Sequence, residues 1–332
     1  MHVTILGAAG FLGRKVAARL ATDGTLGGKP VDSLTLFDLN PPPLMDAPFP
    51  VRALGGDIAY LPQGAIPPQT NVVFHLAAVV SAAAEADYEL GRNVNVRGTD
   101  AVIDACRALP VSSRSGPPRV VFTSSVASFG GGQDAILPDD ARQMPTNSYG
   151  AQKAAAELFL SDATRRGFMD AVCIRLPTVT IRPGRPNKAA SSFVSSILRE
   201  PLLGLPADLP VPDAFKVWIC SPRRAVDWLL HAASMNTAPM GADRGINPPG
   251  LSVPVGDMIA AMDRVAPGAS ALITRKQDPT IEAIVGGWPA AFAPHRATTL
   301  GFSPHEPLEA LIQAFIEDDL EPTKADRAST TP

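Results

Sequence analysis

The fold of this chain is decided by Val3–Gly13, which reads Val-Thr-Ile-Leu-Gly-Ala-Ala-Gly-Phe-Leu-Gly. The apolar residues before the first glycine predict a buried strand, and the spacing of apolar residues from Phe11 onward predicts a helix. Glycine at Gly7, Gly10 and Gly13 permits a tight turn, close approach of the backbone to a bound group, and close packing of helix on strand. Because a helix N-terminus presents unpaired N–H groups and the positive end of a dipole, this stretch predicts a site for a pyrophosphate.

Strands and helices alternate through the first half of the chain. Each predicted strand is a short apolar or β-branched run, which is typical of a strand buried on both faces of a parallel sheet. The strands are expected at His2–Leu6, Ser33–Phe37, Val72–Leu76, Arg119–Thr123 and Ala171–Leu176, and the helices at Phe11–Ala21, Val94–Leu109 and Tyr149–Arg166. This alternation predicts an α/β fold, a Rossmann-type doubly wound parallel sheet with a smaller, mostly C-terminal substrate-binding lobe.

The domain boundaries follow from where the alternation stops. Residues 1–178 are expected to form the dinucleotide-binding domain, and residues 214–246 to return to it. Residues 179–213 and 247–320 are richer in proline and less regular, so we expect them to form the substrate-binding lobe. The polar segment 321–332 is expected to be a flexible tail. Further helices are expected at residues 189–199, 222–233, 255–265 and 307–317.

Composition makes several classes of function improbable. The chain has 332 residues, of which 45% are hydrophobic, and 29 basic against 32 acidic residues give a net charge of −3. Because there is no basic excess to neutralise phosphates, neither a nucleic acid nor a membrane is an expected partner. The three cysteines are widely spaced and match no metal-binding pattern. We therefore expect no metal site and a reducing, cytoplasmic location.

Asp38 ends the second predicted strand and is the candidate for binding the adenosine ribose. A carboxylate at this place accepts hydrogen bonds from both ribose hydroxyls and repels a 2′-phosphate. The sequence therefore predicts NAD rather than NADP as the cofactor.

Tyr149 and Lys153 form the candidate catalytic pair at the start of a predicted helix. Because they are four residues apart, the phenol and the ammonium lie on one helix face. A free phenol has a pKa of about 10, and the ammonium together with an oxidised nicotinamide would need to supply about 4 kcal/mol to lower that pKa by about 3 units. Tyr149 is then expected to remove a hydroxyl proton while a hydride passes to NAD.

A third catalytic candidate lies at the end of a predicted strand that runs into Thr123, Ser124 and Ser125. Ligands of open α/β sheets bind beyond the carboxyl ends of the strands, where these hydroxyls point. We expect Ser125 to donate a hydrogen bond to the substrate oxygen and to hold that oxygen against Tyr149.

Together these motifs resemble the extended short-chain dehydrogenase/reductases, which include the NAD-dependent sugar epimerases and dehydratases. The resemblance covers nearly the whole chain, and it implies that Ser125, Tyr149 and Lys153 are the catalytic triad. It also implies a set of cofactor contacts: Gly7, Gly10, Phe11, Leu12, Gly13, Asp38, Asp57, Ile58, Leu76, Ala77, Ala78, Asn95, Thr123, Tyr149, Lys153, Pro177, Thr178 and Val179.

Particular roles follow from the same resemblance. It implies that Asp57 and Ile58 meet the adenine and that residues 76–78 line the ribose and the pyrophosphate. It further implies that Asn95 supports the network around Lys153. A homodimer built from the helices predicted at residues 94–109 and 149–166 is the arrangement that the family suggests.

The second half of the chain narrows the substrate. It contains no tyrosine to stack on a nucleotide base, but it has six cations spread over its motifs, enough to bind one small carboxylate. These are Arg182, Arg185, Lys188, Arg199, Lys216 and Arg223, and the one that binds the carboxylate is left open. The motifs resemble a subgroup that oxidises a four-carbon sugar acid. The candidate substrate residues are Ser125, Tyr149, Asn187, Ser192, Arg199 and Lys216.

The hypothesis that the resemblance implies is NAD-dependent oxidation of a secondary hydroxyl of a small sugar acid, with D-erythronate converted to 2-dehydro-D-erythronate. One alternative is a nucleotide-sugar 4-epimerase or dehydratase with tightly bound NAD. Against it, Ser128-Phe-Gly130 stands where many such proteins have Val-Tyr-Gly. An alternative from another class is a non-catalytic, NAD-sensing regulator, and the Tyr–Lys pair counts against it.

Overall fold

The structure is a computed structural model, and it describes residues 1–110, 116–133, 135–185 and 191–329. The strands are β1 (His2–Leu6), β2 (Thr25–Leu26), β3 (Lys29–Pro30), β4 (Ser33–Asp38), β5 (Val51–Gly55), β6 (Val72–His75), β7 (Arg119–Ser125), β8 (Ile136–Leu137), β9 (Asp170–Leu176), β10 (Thr178–Val179), β11 (Ala207–Leu209), β12 (Lys216–Cys220), β13 (Gly245–Ile246), β14 (Leu251–Pro254), β15 (Ile273–Arg275) and β16 (Ala291–Phe292). The helices are α1 (Phe11–Asp23), α2 (Ser81–Ala86), α3 (Tyr88–Arg92), α4 (Gly98–Arg107), α5 (Ser148–Arg165), α6 (Ser192–Leu202), α7 (Pro222–Ser234), α8 (Val255–Val265), α9 (Pro279–Gly286), α10 (His295–Thr299), α11 (Leu308–Phe315) and α12 (Glu321–Ser329).

Within the described residues, a seven-stranded sheet forms the centre of the molecule. Its order is β13-β9-β7-β6-β1-β4-β5, and every neighbouring pair of strands is parallel. Helices α1 and α7 pack on one face of the sheet, and α4 and α5 pack on the other. The predicted α/β class is therefore confirmed. The strand order reverses between β1 and β6, and in such sheets the ligand crevice opens at the carboxyl ends of these two strands.

Strand β5 is not predicted from the sequence. Among the described residues it is an edge strand that pairs with β4 alone, and its residues are exposed or half-buried, with a charged side chain, Arg52, at its second position. The continuous apolar run that marks a central parallel strand is therefore missing from residues 51–55.

A second apolar core forms in the other half of the chain. Helices α6, α8 and α11 pack around strands β12 and β14, where Ile197, Met258 and Phe315 are buried. This core contains residues from both segments that are predicted to form the substrate-binding lobe. Two stretches differ from that division. Val217 and Ile219 of β12, in the segment predicted to return to the sheet domain, pack in this second core, and Ala297 and Phe302 pack with α7 in the core of the sheet domain.

The prediction of a flexible tail at residues 321–332 is wrong for residues 321–329, which form helix α12. A π-helical turn at Ile316–Leu320 carries the chain from α11 directly into α12. The side chain of Thr323 is buried, and its hydroxyl donates to the carbonyl of Asp319 at 2.6 Å. The sequence does not predict this helix because residues 321–329 lack the periodic apolar residues that mark a helix. Its contacts are mostly ion pairs and hydrogen bonds. Among the described helices, none combines the length and apolarity that a bilayer crossing needs.

Candidate active site

The glycine-rich turn after β1 is shaped by close backbone contacts. Gly7 has a φ of +90°, and a Cβ added to it would lie 2.5 Å from the amide nitrogen of Ala77. A Cβ on Gly13 would lie 2.2 Å from the carbonyl oxygen of Gly7. Helix α1 begins after Gly10 without a side-chain cap, so its first N–H groups are available to an anion. The turn therefore has the features that a pyrophosphate site requires.

Asp38 lies beside this turn, as the sequence predicts. Its carboxylate accepts hydrogen bonds from the backbone nitrogens of Ala9 and Leu39 at 2.8 Å and 2.7 Å. A carboxylate has about four acceptor sites, so two bonds leave capacity for ribose hydroxyls. The contact with Ala9 fixes the carboxylate against the glycine-rich turn, which is the position that a ribose-binding residue needs.

A groove runs from the turn to the catalytic pair. It is lined by Gly7, Gly10, Phe11, Leu12, Gly13, Leu76, Ala78, Val80, Thr123, Ser124, Ser125, Tyr149, Lys153, Leu176, Pro177, Val179 and Arg182. Most of the predicted cofactor contacts therefore share one groove, and its backbone turn and hydroxyls, with the carboxylate of Asp38 beside the turn, fit NAD. Six predicted contacts are not in the lining of the groove: Asp38, Asp57, Ile58, Ala77, Asn95 and Thr178. Asp57 and Ile58 lie at the start of a 3-10 turn, where Asp57 accepts from the nitrogen of Ala59 and Ile58 is buried.

Asn95 supports the site differently from the prediction. Its side-chain oxygen accepts from the nitrogen of Val79, and its amide nitrogen donates to the carbonyl of Val79 and to Gln152. Asn95 lies in a π-helical turn at Asn93–Arg97, which turns its side chain toward the loop after β6. Its described contacts thus fix that loop and reach helix α5 through Gln152, not through Lys153.

Lys153 is buried beneath the ring of Tyr149. Its Nζ donates to the carbonyl oxygen of Thr123 at 2.7 Å and lies 4.4 Å from the centroid of the Phe122 ring. The distance from Nζ to the Tyr149 ring centroid is 5.7 Å. Burial lowers the pKa of Lys153 to about 7, while the carboxylate of Glu157 acts to raise it. The ammonium is therefore fixed to the end of β7 in a dry environment.

Tyr149 is brought to Ser125 by close packing at the start of α5. Asn147 caps the helix by accepting from the nitrogen of Gly150 at 2.8 Å. A Cβ on Gly150 would lie 2.0 Å from the carbonyl oxygen of Ala127, in the turn that follows β7. Only glycine permits this approach, so the Tyr-Gly pair in the sequence is a packing signal as well as a catalytic one.

The pKa of Tyr149 differs in direction from the prediction. Burial raises the pKa of its phenol, and this is the largest influence. The positive charge of Arg182 and a hydrogen bond with Ser125 act to lower it. In the protein alone, the cation that favours the phenolate is thus Arg182. The lowering expected from Lys153 together with an oxidised nicotinamide stays a prediction.

A buried polar network beneath the triad is not predicted from the sequence. Glu157 lies four residues after Lys153 and accepts from Arg175 at 2.8 Å, from Gln143 at 3.1 Å, and from Ser124. The side chains of Glu157 and Arg175 are 5% and 8% exposed, so the pair is inside the protein. The sequence feature that could have indicated this network is the repeated spacing of four residues from Tyr149 to Lys153 to Glu157, which places all three on one face of α5.

Next to the groove lies a second cavity. It contains the predicted substrate residues Ser125, Tyr149, Ser192, Arg199 and Lys216 in its lining. Asn187, also predicted, lies outside the described residues. Further lining residues that the sequence does not single out for substrate binding are Val80, Ser81, Gln133, Asn147, Trp218, Val285 and Trp288.

The cations around this cavity differ in what they already contact. Arg199 is buried and donates to Glu200, to the carbonyl oxygen of Arg182, and to Ser196. Arg182 is exposed, and it lines both the groove and the cavity. Among the described residues no carboxylate forms an ion pair with Arg182, whose Nε donates to the carbonyl of Val179 at 3.3 Å.

A phosphate-binding turn and a half-buried base that share one crevice of a parallel sheet define a dinucleotide-dependent enzyme that acts on hydroxyl groups. The model of the NAD dependent epimerase/dehydratase family matches residues 3–218. The chain belongs to this family, which confirms the resemblance found in the sequence, and its cofactor is NAD.

Three similar proteins match over nearly their full lengths. The chain is 46% identical to D-erythronate dehydrogenase of Cupriavidus necator, over 96% of this chain and 98% of that protein. It is 38% identical to D-erythronate dehydrogenase of Haemophilus influenzae, over 96% of this chain and 100% of that protein. A crystal structure described as a nucleoside-diphosphate-sugar epimerase from Agrobacterium tumefaciens superposes with a TM-score of 0.91 at 45% identity, covering 97% of this chain and 95% of the other.

Proposed function

We propose that this protein is an NAD-dependent dehydrogenase that oxidises the C2 hydroxyl of D-erythronate to give 2-dehydro-D-erythronate. Two relatives bear the name D-erythronate dehydrogenase, and each aligns with 96% of this chain. The observation that carries the proposal within this chain is the position of Arg182, an exposed cation whose charge acts on the phenol of Tyr149.

The distance between carboxylate and reacting carbon in such a substrate favours Arg182 as the carboxylate-binding residue. In a 2-hydroxy acid the carboxylate carbon is bonded directly to the carbon that loses hydride. The binding cation must therefore lie next to the base. Arg182 lines the groove beside Tyr149, whereas Arg199 is engaged by Glu200 and Lys216 lies only in the cavity. A guanidinium also suits a carboxylate because it offers two parallel donors.

The chemical step assigns one task to each residue of the triad. The phenolate of Tyr149 takes the proton of the C2 hydroxyl as the C2–H bond breaks and the carbonyl forms. Ser125 holds the same oxygen by a hydrogen bond. Lys153, held on the carbonyl of Thr123 at 2.7 Å, keeps a positive charge beneath the phenol ring. The two electrons of the C2–H bond leave with hydride, so the alcohol becomes a ketone and one proton is released.

The cofactor NAD+ supplies the hydride acceptor when it is bound. The glycine-rich turn and the N-terminus of α1 would hold its pyrophosphate, and Asp38 would hold its adenosine ribose. Pro177 and Val179, which line the groove and the cavity, would separate the nicotinamide from the substrate pocket. A carboxylate at Asp38 disfavours a 2′-phosphate, which supports NAD over NADP.

An absorbance assay for NADH tests the proposal. The purified protein with NAD+ is expected to form NADH with D-erythronate, and to form much less with five- and six-carbon aldonates or with UDP-glucose. If NADH does not accumulate with any aldonate but UDP-glucose is converted to its 4-epimer, the dehydrogenase assignment fails and the epimerase is correct. Binding of NAD by calorimetry without turnover of either class would instead identify a regulator.

We also propose that the protein forms a homodimer through α5, the predicted helix at residues 149–166, together with α3, which lies just before the other predicted helix at residues 94–109. These helices pack against each other, and they expose Tyr88 and Leu90 on α3 and Leu158 and Phe159 on α5. Leu158 is 69% exposed, which is costly for an apolar side chain of this size. A second copy that presents the same face would cover it, since twofold symmetry makes such a patch complementary to itself.

We infer that the protein functions in a reducing compartment. Cys106, Cys173 and Cys220 are all buried and free of disulfide bonds. Burial also raises the pKa of the Cys173 and Cys220 thiols, which keeps them protonated and unreactive. This arrangement supports the cytoplasmic location expected from the cysteine spacing.

A further inference from the structure

The C-terminal helix α12 lies against the loop at residues 181–185, which carries Arg182. Arg327 on this helix donates to the backbone carbonyl of Gly184 at 2.7 Å. The same guanidinium pairs with both carboxylate oxygens of Glu200, at 2.6 Å and 2.8 Å. A residue in what the sequence suggested was a tail thus reaches the rim of the substrate cavity.

Glu200 also links Arg327 to the loop through a second arginine, Arg199. Its Oε1 accepts from the Nε of Arg199 at 2.8 Å, and the Nη1 of Arg199 donates to the carbonyl oxygen of Arg182 at 2.8 Å. The nitrogen of Arg182 donates to Ser195 at 3.1 Å, on the same helix α6 as Glu200. The loop is therefore held at Gly184 directly by Arg327, and at Arg182 through Glu200 and Arg199.

A contribution to stability does not by itself account for the cluster of charges formed by Arg199, Glu200 and Arg327. The side chains of Arg199, Glu200 and Arg327 are 3%, 7% and 16% exposed. Burying two guanidinium groups and one carboxylate costs solvation energy that their mutual attraction only partly returns, and apolar replacements of such triads are often as stable. What the charges do offer is fixed geometry, because each guanidinium ends on a carbonyl oxygen of the loop.

The opposite end of the segment is also anchored. The acidic turn that precedes α12 pairs with Arg223 through Glu317 and Asp318, and with Lys15 of the cofactor-binding helix α1 through Asp319 at 2.9 Å. Helix α12 is therefore fixed to the sheet domain at its start and to the substrate loop near its end. It cannot shift away from the loop without breaking these pairs.

We infer that Arg327 is a positioning residue for substrate binding, because it holds the 181–185 loop so that Arg182 faces the catalytic tyrosine. This inference rests on the proposed function, in which Arg182 binds the substrate carboxylate. Loss of the Arg327 contacts raises the KM for the sugar acid and leaves NAD binding unchanged, since the Arg327 side chain does not line the cofactor groove.

The experiment compares Arg327→Ala with Lys324→Ala, a control on the same helix whose ammonium, within the part of the chain that the structure describes, pairs only with nearby Glu321. Arg327→Ala is expected to raise the KM for D-erythronate about tenfold with kcat changed less than about twofold, which is the pattern of lost ground-state positioning. Lys324→Ala and the wild type are expected to agree. Arg327→Lys is expected to recover part of the loss, because it keeps one donor for Glu200.

Hydrogen exchange supplies a readout that needs no turnover. The amides of Ile181, Arg182 and Gly184 are expected to exchange faster in Arg327→Ala than in wild type and Lys324→Ala, with exchange in the sheet domain unchanged. Equal KM values and equal exchange in the two alanine variants would overturn the inference. If Arg327→Ala does not fold, Arg327→Lys decides by the same two measurements. Inactive wild type would count against the proposed function, whereas the exchange result still decides the role of Arg327.

Discussion

At the scale of single residues, the site is defined by two titratable groups that burial shifts toward their neutral forms and by one exposed cation, Arg182. Burial raises the pKa of Tyr149 and lowers that of Lys153 to about 7, so both groups resist ionisation. Arg182 opposes this effect for the phenol. Because charge interactions are stronger where water is excluded, small changes in these side chains have large effects on the reaction.

Replacement of Tyr149 by phenylalanine tests the base directly. We expect kcat for D-erythronate to fall by about 10²- to 10⁴-fold, because the variant lacks the phenol oxygen that takes the substrate proton, while the Kd for NAD changes little. The control is Tyr60→Phe, since Tyr60 is 72% exposed and far from the groove lining. A Tyr149→Phe variant that kept most of its activity would contradict the mechanism.

Replacement of Arg182 by methionine tests the carboxylate contact. We expect the KM for D-erythronate to rise by about tenfold to about a hundredfold, the range for loss of a charge-assisted hydrogen bond. The matched comparison is Lys216→Met, which we expect to change KM much less. Steady-state kinetics with erythritol, which lacks the carboxylate, should show no further loss in Arg182→Met. The assignment would be wrong if Lys216→Met had the larger effect.

The pKa of Lys153 predicts a pH dependence of stability. Its pKa falls from 10.5 in the unfolded chain to about 7 in the fold, so between these values the unfolded chain binds more protons. Below about pH 7 the fold must bury a charged ammonium, which lowers the free energy of unfolding by its largest amount. As the pH rises above about 7, this penalty decreases by at most about 1.4 kcal/mol per pH unit, so the free energy of unfolding increases. Urea unfolding of wild type and Lys153→Met at about pH 7 and about pH 9 measures this effect. The wild type should gain stability relative to the variant at the higher pH, and a constant difference would contradict the assigned pKa.

At the scale of elements, the start of α5 determines where the phenol lies. Gly150 packs on the carbonyl of Ala127, so the helix and the turn after β7 move as one unit. The sequence predicts α5 at residues 149–166, and the structure has it at Ser148–Arg165. The packing that aligns it with Ser125 is not visible in helical periodicity, because it depends on a contact between segments more than twenty residues apart.

A methyl group at Gly150 tests this packing. A Cβ there would lie 2.0 Å from the carbonyl oxygen of Ala127, so Gly150→Ala must shift either the helix or the turn. A displacement of about 1 Å at a reacting group can cost about a hundredfold in rate, and we expect kcat to fall on that order. The control is Gly286→Ala at the end of helix α9, where no atom lies within 4 Å of the added Cβ. The control should keep full activity and lose no stability, as thermal unfolding will show. Equal rates in both variants would contradict the packing argument.

At the scale of the whole molecule, the site forms where two cores meet. The sheet domain contributes Tyr149, Lys153 and the cofactor turn, and the second core contributes helix α6 and the loop with Arg182. The C-terminal segment contacts both, through Lys15 on one side and Arg327 on the other. Correct geometry at the reacting carbon therefore depends on how the two parts pack together.

The exposed face of α3 and α5 gives a prediction about assembly. We expect Leu158→Asp to convert a dimer to a monomer, because two buried carboxylates would face each other across a twofold interface. Sedimentation velocity measures the change. The control is Leu44→Asp, since Leu44 is also 69% exposed but lies on a loop of the opposite part of the sheet domain. A wild-type protein that sediments as a monomer would refute the proposed interface.

Short motifs in the sequence were enough to predict the cofactor class and the catalytic base of this protein. The glycine-rich turn, Asp38 and the spacing of Tyr149 and Lys153 indicate a dinucleotide fold and a phenol base, because these features depend on residues close together in the chain. Only the tertiary structure decided which cation faces the base, the direction of the phenol pKa, and the role of helix α12. Arg182, Glu200 and Arg327 are far apart in sequence and carry the same charges as many surface residues. Their roles arise from burial and neighbours that folding brings together, and no local periodicity encodes those.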